Sequence, residues 1–294
     1  MDCNLCPRAC GVDRAVNLGY CRSTDSMRIG LVSRHMWEEP PISGVRGSGT
    51  IFFSGCNLGC VYCQNYELSR GNTGREVTPK QLAEIFRMLD DSGVHNINLV
   101  TASHFIVELL KAFDIYKPRL PIVFNCGGYE SSAQILALKD AVDIWLPDFK
   151  YSDASLALKL SNAPDYPNVA LESIRLMRTL CPKDIYLDDG TMIRGMIIRH
   201  MTLPSHIDNT VGVLNAIKDT VGTDTVISLM SQYYPCGVLD KYPDIARRLK
   251  PLEYKIAVSH AQKLGFCNVF VQELSSADGA YTPDFNGYLG DKGI

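Results

Sequence analysis

The chain has 294 residues, with 29 Lys and Arg against 32 Asp and Glu, a formal net charge of −3. Hydrophobic residues make up 46% and charged residues 21%, enough apolar material for one large or two ordinary domains. This balance excludes a disordered or collagen-like chain, and its slight acidity speaks against a nucleic-acid or membrane-surface partner.

The front of the chain is unusual. Met1-Asp2-Cys3-Asn4-Leu5-Cys6-Pro7-Arg8 lacks the apolar stretch of a signal peptide, so a cytoplasmic protein with reduced thiols is expected. Seven of the 11 cysteines fall in the first 63 residues. The first group is Cys3-x2-Cys6-x3-Cys10-x10-Cys21. Four thiols complete the shell of one Zn²⁺ or one iron–sulfur cluster, and the spacing leaves both open. Free thiols are the plain alternative. Pro7, Gly11 and Gly19 let the backbone turn between ligands. Residues 1–48 read as a small Cys-rich extension, 49–274 as the main domain and 275–294 as a tail. His35, Glu38 and Glu39 read as a surface turn rather than a metal site. The uncharged run 47–66 is long enough to span a bilayer, but four Gly, three Cys, two Asn and a Gln argue against it.

From residue 50 strands and helices alternate. Residues 50–54 predict a strand running into Gly55 and the second cysteine group. Thr78-Pro79 starts a helix with Leu82, Ile85, Phe86 and Leu89 on one face, and Gly93 stops it. Residues 96–101 predict a strand, and Ser103 is placed to cap the next helix. A strand at 120–125 leads to a helix begun by Ser131. A fourth strand at 142–147 precedes helices near 153–161 and 168–180. Asp189-Gly190 marks a small hairpin. A fifth strand (195–201), a helix (208–219) and a sixth strand (225–230) follow. Pro251 opens a helix ending at Gly265, and 268–272 is a last strand.

This alternation indicates a parallel sheet covered by helices. Six repeats are too few for an eight-fold barrel, so a partial (β/α)6 barrel or an open sheet is expected. Either form places working groups at the C-terminal strand ends. Those ends carry Thr101 to Ser103, Asn125-Cys126, Asp148-Phe149-Lys150, Arg199-His200 and Ser231-Gln232. Arg199 and His200 alternate on a strand and must face opposite sides. Cys126 and Cys236 read as buried, inert thiols near strand ends, with a substrate contact as the sharper alternative. Cys181 and Cys267 read as structural.

The second cysteine group is Cys56-x3-Cys60-x2-Cys63, with Gly55 and Gly59 permitting a tight loop. Three thiolates leave one iron of a four-iron cluster without a protein ligand, which is the open position a reactive site needs. The plain alternative is a three-Cys zinc site with a distant fourth ligand.

This loop, with Tyr62 before the third Cys, resembles the signature of the radical S-adenosylmethionine superfamily. Cys6-Pro7-Arg8, Glu38-Glu39-Pro40-Pro41, Ser54-Gly55-Cys56-Asn57-Leu58, Cys63-Gln64-Asn65-Tyr66 and Leu146-Pro147-Asp148-Phe149-Lys150-Tyr151 resemble its pyruvate formate-lyase activating enzyme-like branch. The resemblance implies a partial TIM-like barrel, and a [4Fe-4S] cluster on Cys56, Cys60 and Cys63 that reductively cleaves S-adenosylmethionine. It also implies an electron donor such as flavodoxin or ferredoxin, oxygen sensitivity and an anaerobic setting. Tyr62, Thr101, Ser103, Asn125, Asp148, Lys150, Arg199 and Gln232 become the expected cofactor contacts. The family's Gly-Gly-Glu type loop is absent at Thr101 to Ser103, and Gln232 stands where a histidine is usual. A second cluster, or Zn, is expected on Cys3, Cys6, Cys10 and Cys21. In activating enzymes extra cysteines follow the three-Cys loop; here they precede it. The expected activity is hydrogen abstraction from a protein or peptide, with glycyl-radical activation as its named form. A small-molecule radical enzyme is the second reading, and a non-catalytic iron–sulfur or zinc protein the third.

Overall fold

A computed structural model describes residues 3–71, 73–237 and 239–274. The expected tail, 275–294, lies outside the described residues. Ten strands and nine helices occur among the described residues. In chain order they are β1 (Arg28–His35), α1 (Pro40–Ser43), β2 (Ser48–Phe53), α2 (Tyr66–Arg70), β3 (Arg75–Glu76), α3 (Pro79–Asp91), β4 (Ile97–Val100) and α4 (Ile106–Ile115). There follow β5 (Ile122–Cys126), α5 (Ser132–Leu138), β6 (Ile144–Pro147), α6 (Ala154–Ser161), α7 (Tyr166–Leu180) and β7 (Ile185–Tyr186). The series ends with β8 (Met192–Met201), α8 (Ile207–Val221), β9 (Val226–Met230), α9 (Pro251–Leu264) and β10 (Val269–Val271).

One sheet runs in the order β10-β9-β8-β6-β5-β4-β2-β1-β3. From β2 to β10 every neighbouring pair is parallel. Helices cover this run, so it is an α/β partial barrel with a last strand added, as the alternation predicts. The sheet does not close, and its two edge strands, β10 and β3, are three and two residues long. Short edges offer little backbone for pairing with another chain. β2, β4, β5, β6 and β9 are buried along their whole length, as a two-sided parallel sheet requires. Trp145, Phe124, Phe86 and Ile174 are among the side chains that fill the core.

Local chemistry sets the helix starts. Thr78 and Gln81 form a reciprocal cap on α3, with Pro79 at its first position; Ser131 and Gln134 do the same for α5. Asn162 and Gly265 end α6 and α9 in the left-handed conformation. The Asp189-Gly190 turn joins β7 to β8, which explains why β8 begins before residue 195.

Two features depart from the sequence reading. β1 lies within residues 1–48 and joins the sheet antiparallel to β2. Its register slips between Ile29 and Leu31, where a Cβ on Gly30 would collide with Leu68. Ser103 does not cap α4. It begins a 3-10 turn, and α4 starts at Ile106 with no side-chain cap. Among the described residues no helix is long and apolar enough to cross a membrane.

Candidate active site

A cavity of about 640 Å³ opens at the C-terminal ends of the parallel strands. Cys56, Cys60 and Cys63 line one part of it, and Asp148, Lys150 and Arg199 another.

The thiol loop follows β2. Gly55 has φ +85°, and a Cβ there would strike Ser23 Oγ and Cys21 O. Gly59 has φ +71°, and a Cβ there would strike the Arg70 guanidinium. Only glycine fits both positions without strain. The loop is tied at several points. Cys56 N donates to Cys21 O at 3.0 Å, and Val61 N to Leu160 O at 2.9 Å. Asn57 Nδ2 donates to Tyr129 O at 2.7 Å. Two donors face the sulfurs: Leu58 N lies 3.4 Å from Cys56 Sγ and Ser69 Oγ 3.5 Å from Cys63 Sγ. Tyr62 is buried between Tyr151 and Tyr233, with ring centroids at 6.4 and 5.9 Å, and also reaches the cavity.

The charged group is built by strand register. Asp148 and Lys150 are two residues apart in extended chain, so both face the cavity while Phe149 is buried on the other side. Asp148 and Arg199 form a parallel bridge between the chain after β6 and β8. Arg199 Nε donates to Asp148 Oδ1 at 2.8 Å, its Nη2 to Asn125 Oδ1 at 2.5 Å and its Nη1 to Glu38 Oε2 at 3.4 Å. Lys150 Nζ donates to Asp148 Oδ2. Asn125 Nδ2 donates to Glu38 Oε1 at 3.3 Å.

Electrostatics follow from this packing. Burial opposes the Asp148 charge, but Arg199 and Lys150 outweigh it and hold the carboxyl below its usual range. Burial likewise opposes the Lys150 charge; Asp148 and then Cys60 overcome it and hold the amine protonated. Arg199 is raised by Asp148, Glu38 and Glu39 against the same burial. Glu39 behaves differently. Burial pushes it up to about 7, with Arg199 opposing only in part. Burial pushes the Cys63 thiol up to about 12.

Thr101 lines the cavity with φ +61°, the left-handed region, and its N–H donates to Asn125 O at 2.9 Å. A β-branched residue there is strained. Gln232 lines the cavity too, accepting from Gln272 Nε2 at 3.2 Å through its side chain and from Gln64 Nε2 at 3.2 Å through its carbonyl. Ser103 is not brought to the cavity; its hydroxyl donates to Glu130 Oε1 at 2.7 Å. His200 faces away, pairing with Phe149 O at 2.6 Å and Thr210 Oγ1 at 2.9 Å. Cys126 is buried but lines the cavity, and Cys236 Sγ lies 3.5 Å from Tyr62 O.

The sequence reading missed Glu38 and Glu39. They are no surface turn: both are nearly buried, line the cavity and face Arg199. Their adjacency to Pro40-Pro41 was a signal of a fixed backbone, but nothing local pointed to a cation 161 positions away.

Among the described residues no three His, Cys, Asp or Glu side chains are spaced to close on a single metal ion. A cluster, whose ligands sit on separate irons, takes thiols set farther apart. The Cys56–Cys63 loop fits one. Its donors are thiols alone, and all three residues line the cavity. A Cβ on Gly127, across the cavity, would meet only Leu58 at 3.7 Å. Burial raises the Cys60 thiol, and the charge of Lys150 opposes that rise.

Together the sheet and the site define an α/β partial barrel with a thiol-lined pocket at its strand ends. Residues 50–202 match the Radical SAM superfamily model, and the chain belongs to that superfamily. Its members carry a [4Fe-4S] cluster and use S-adenosylmethionine. The chain is 28% identical over 272 residues to Uncharacterized protein MJ0674 of Methanocaldococcus jannaschii, covering 89% of this chain and 75% of that one. Streptococcus suis SuiB, solved with the precursor peptide SuiA, shares the fold at TM-score 0.50 and 11% identity, over 76% of this chain and 48% of SuiB. Methylornithine synthase (PylB) aligns at TM-score 0.48 and 14% identity, over 70% of this chain and 59% of that one. The chain thus spans about half to three-fifths of these solved structures.

Proposed function

We propose that this protein reductively cleaves S-adenosylmethionine at a [4Fe-4S] cluster on Cys56, Cys60 and Cys63 and abstracts hydrogen from a protein or peptide. The observation that carries this reading is the shared cavity: the three loop thiols and the charged group of Asp148, Lys150 and Arg199 meet in one space at the strand ends. When bound, the cluster would supply one electron to break a carbon–sulfur bond of the sulfonium.

The chain's own residues do the rest. Arg199 and Lys150 present cations toward the amino-acid end of the cofactor. Asp148 accepts from both, so its role is to aim them. The Arg199–Glu38 contact, at 3.4 Å, is the loosest of the group, and a cofactor carboxylate would replace it. Thr101 and Asn125 offer polar contacts on neighbouring strands, Tyr62 an aromatic edge and Gln232 an amide across the mouth.

A macromolecular substrate is supported by the rim, where Trp37 and Met36 line the mouth and remain exposed. Glycyl-radical activation is the form the branch resemblance suggests. A low-potential one-electron donor such as flavodoxin or ferredoxin would reduce the cluster. A second thiolate centre, cluster or Zn, would occupy Cys3, Cys6, Cys10 and Cys21.

Anaerobically reconstituted protein treated with dithionite and S-adenosylmethionine should release 5′-deoxyadenosine and methionine. Absence of both from a cluster-loaded sample would overturn the reading.

A further inference from the structure

The front four thiols and the Cys56–Cys63 loop are physically joined, and the joint runs through Arg8. This side chain lies between Cys6 and Cys10 in sequence, yet its hydrogen bonds reach beyond its own segment. Arg8 Nε donates to Asn57 O at 2.8 Å and its Nη2 to Leu58 O at 2.9 Å, both carbonyls of the catalytic loop. The same guanidinium donates to Ser161 O at 2.8 Å and to Asn162 O, at the end of α6. Its plane sits 3.9 Å from the Tyr20 ring, and Tyr20 directly precedes Cys21. One cation therefore bonds the loop, the barrel wall and the last turn of the front segment.

Two further ties share this path. Cys56 N donates to Cys21 O at 3.0 Å, so a ligand of one group is hydrogen-bonded to a ligand of the other. Arg70 Nη1 donates to Tyr20 O at 2.9 Å while its guanidinium packs under Gly59. Within the front segment Gly19 leaves room at the sulfurs: a Cβ there would lie 3.3 Å from Cys21 Sγ and 3.6 Å from Cys10 Sγ. A short segment with four thiols has little core of its own, and a thiolate-bound centre is what would hold its shape.

We infer that the front quartet is a thiolate metal centre whose occupancy, transmitted by Arg8 as a positioning residue, holds the Cys56–Cys63 loop in its cluster-binding form. The inference rests on the loop being the cluster site, as proposed above. Without the front centre, Arg8 loses its fixed origin and the loop carbonyls lose their donor. Leu58 and Asn57 are then free to move the adjacent Cys56 and Cys60.

The test compares four reconstituted full-length proteins: wild type, Arg8→Lys, Arg8→Ala and Cys6→Ser/Cys10→Ser. The readouts are iron and zinc per chain, loss of iron to a chelator, and the electron-paramagnetic-resonance signal of the reduced cluster before and after S-adenosylmethionine. A Cys56→Ala/Cys60→Ala/Cys63→Ala variant reports the front centre alone; about four irons mark a cluster and one zinc an ion. About four irons support the quartet, whose thiols are not set to close on a single ion; one zinc or a metal-free triple variant overturns it. Arg8→Ala should keep the front metal yet lose loop iron roughly 10-fold faster or more. The Cys6→Ser/Cys10→Ser variant should lose both. Arg8→Lys, which keeps the charge and folds if Arg8→Ala does not, cannot bridge four carbonyls and should fall between. Loop iron as resistant as in wild type, in every variant that retains the fold, overturns the inference. A wild-type signal unchanged by S-adenosylmethionine instead counts against the proposed function and leaves the coupling readable from iron loss.

Discussion

Arg199 and Asp148 sit side by side on adjacent parallel backbones, and the Nε–Oδ1 bond of 2.8 Å is made beneath the cavity, where both side chains are about 15% exposed. Asp148 is the shared acceptor of two cations, so its loss takes the acceptor from Lys150 and leaves Arg199 with Asn125 and Glu38. Removing one partner of a buried pair costs about 3 kcal/mol or more. Asp148→Asn should lower stability in denaturant unfolding and weaken S-adenosylmethionine binding in calorimetry. Unchanged binding by a stably folded Asp148→Asn would exclude this group from the cofactor site.

Thr101 should show strain held for function. Thr101→Gly relieves a left-handed β-branched residue and should raise stability by about 1 kcal/mol. The same change removes a side chain from the cavity and should reduce cofactor binding. A variant that gains stability and keeps full binding would show that Thr101 makes no contact there.

Gly55 and Gly190 both have positive φ, but only Gly55 lacks space for a Cβ. Gly190→Ala should cost about 1–2 kcal/mol from backbone conformation alone. Gly55→Ala must also displace the backbone carbonyl of Cys21. It should be more destabilising and should lower the iron bound per chain, which Gly190→Ala should leave unchanged.

Two buried imidazoles make the fold acid-sensitive. Burial holds His104 at about 3 and His200 at about 4, against about 6.5 in an unfolded chain. Below pH 6.5 the unfolded chain takes up protons that the folded one refuses. Their stabilisation is thus complete above pH 6.5 and is lost as pH falls toward 4 and 3. Glu39 works in the opposite sense: its raised pKa of about 7 contributes below pH 4.5 and is lost as pH rises through 7. Comparing melting temperatures from pH 7.5 to 4.5 isolates one imidazole: the decline should be shallower in His200→Gln than in wild type.

The βα pattern was legible because most helices outside the parallel strands announced themselves locally, whereas the short α1 and α2 did not. Thr78 with Pro79, Ser131 and Pro251 mark starts through caps and fixed φ, and apolar residues recur on one face. The Asp148, Lys150 and Arg199 group was legible from strand-end position. β1 was not, because Gly30 and the register slip break its alternation. Ser103 was misplaced as a cap because Thr101 turns the chain left-handed just before it, a conformation that Thr does not advertise. Glu38 and Glu39 were misread because their meaning depends on Arg199, which sequence proximity cannot reveal. The bonds of Arg8 were equally invisible.

Those same long bonds set an order of events during synthesis. Arg8 reaches carbonyls 153 and 154 positions downstream, and Glu38 reaches a guanidinium 161 positions away. The amino-terminal segment leaves the ribosome first yet cannot dock until α6 exists, and Glu38 waits for β8. Such distant contacts form late and slowly. The thiols therefore spend much of translation unshielded, so oxidation at that stage, rather than instability of the finished protein, should limit the yield of intact chain made in air.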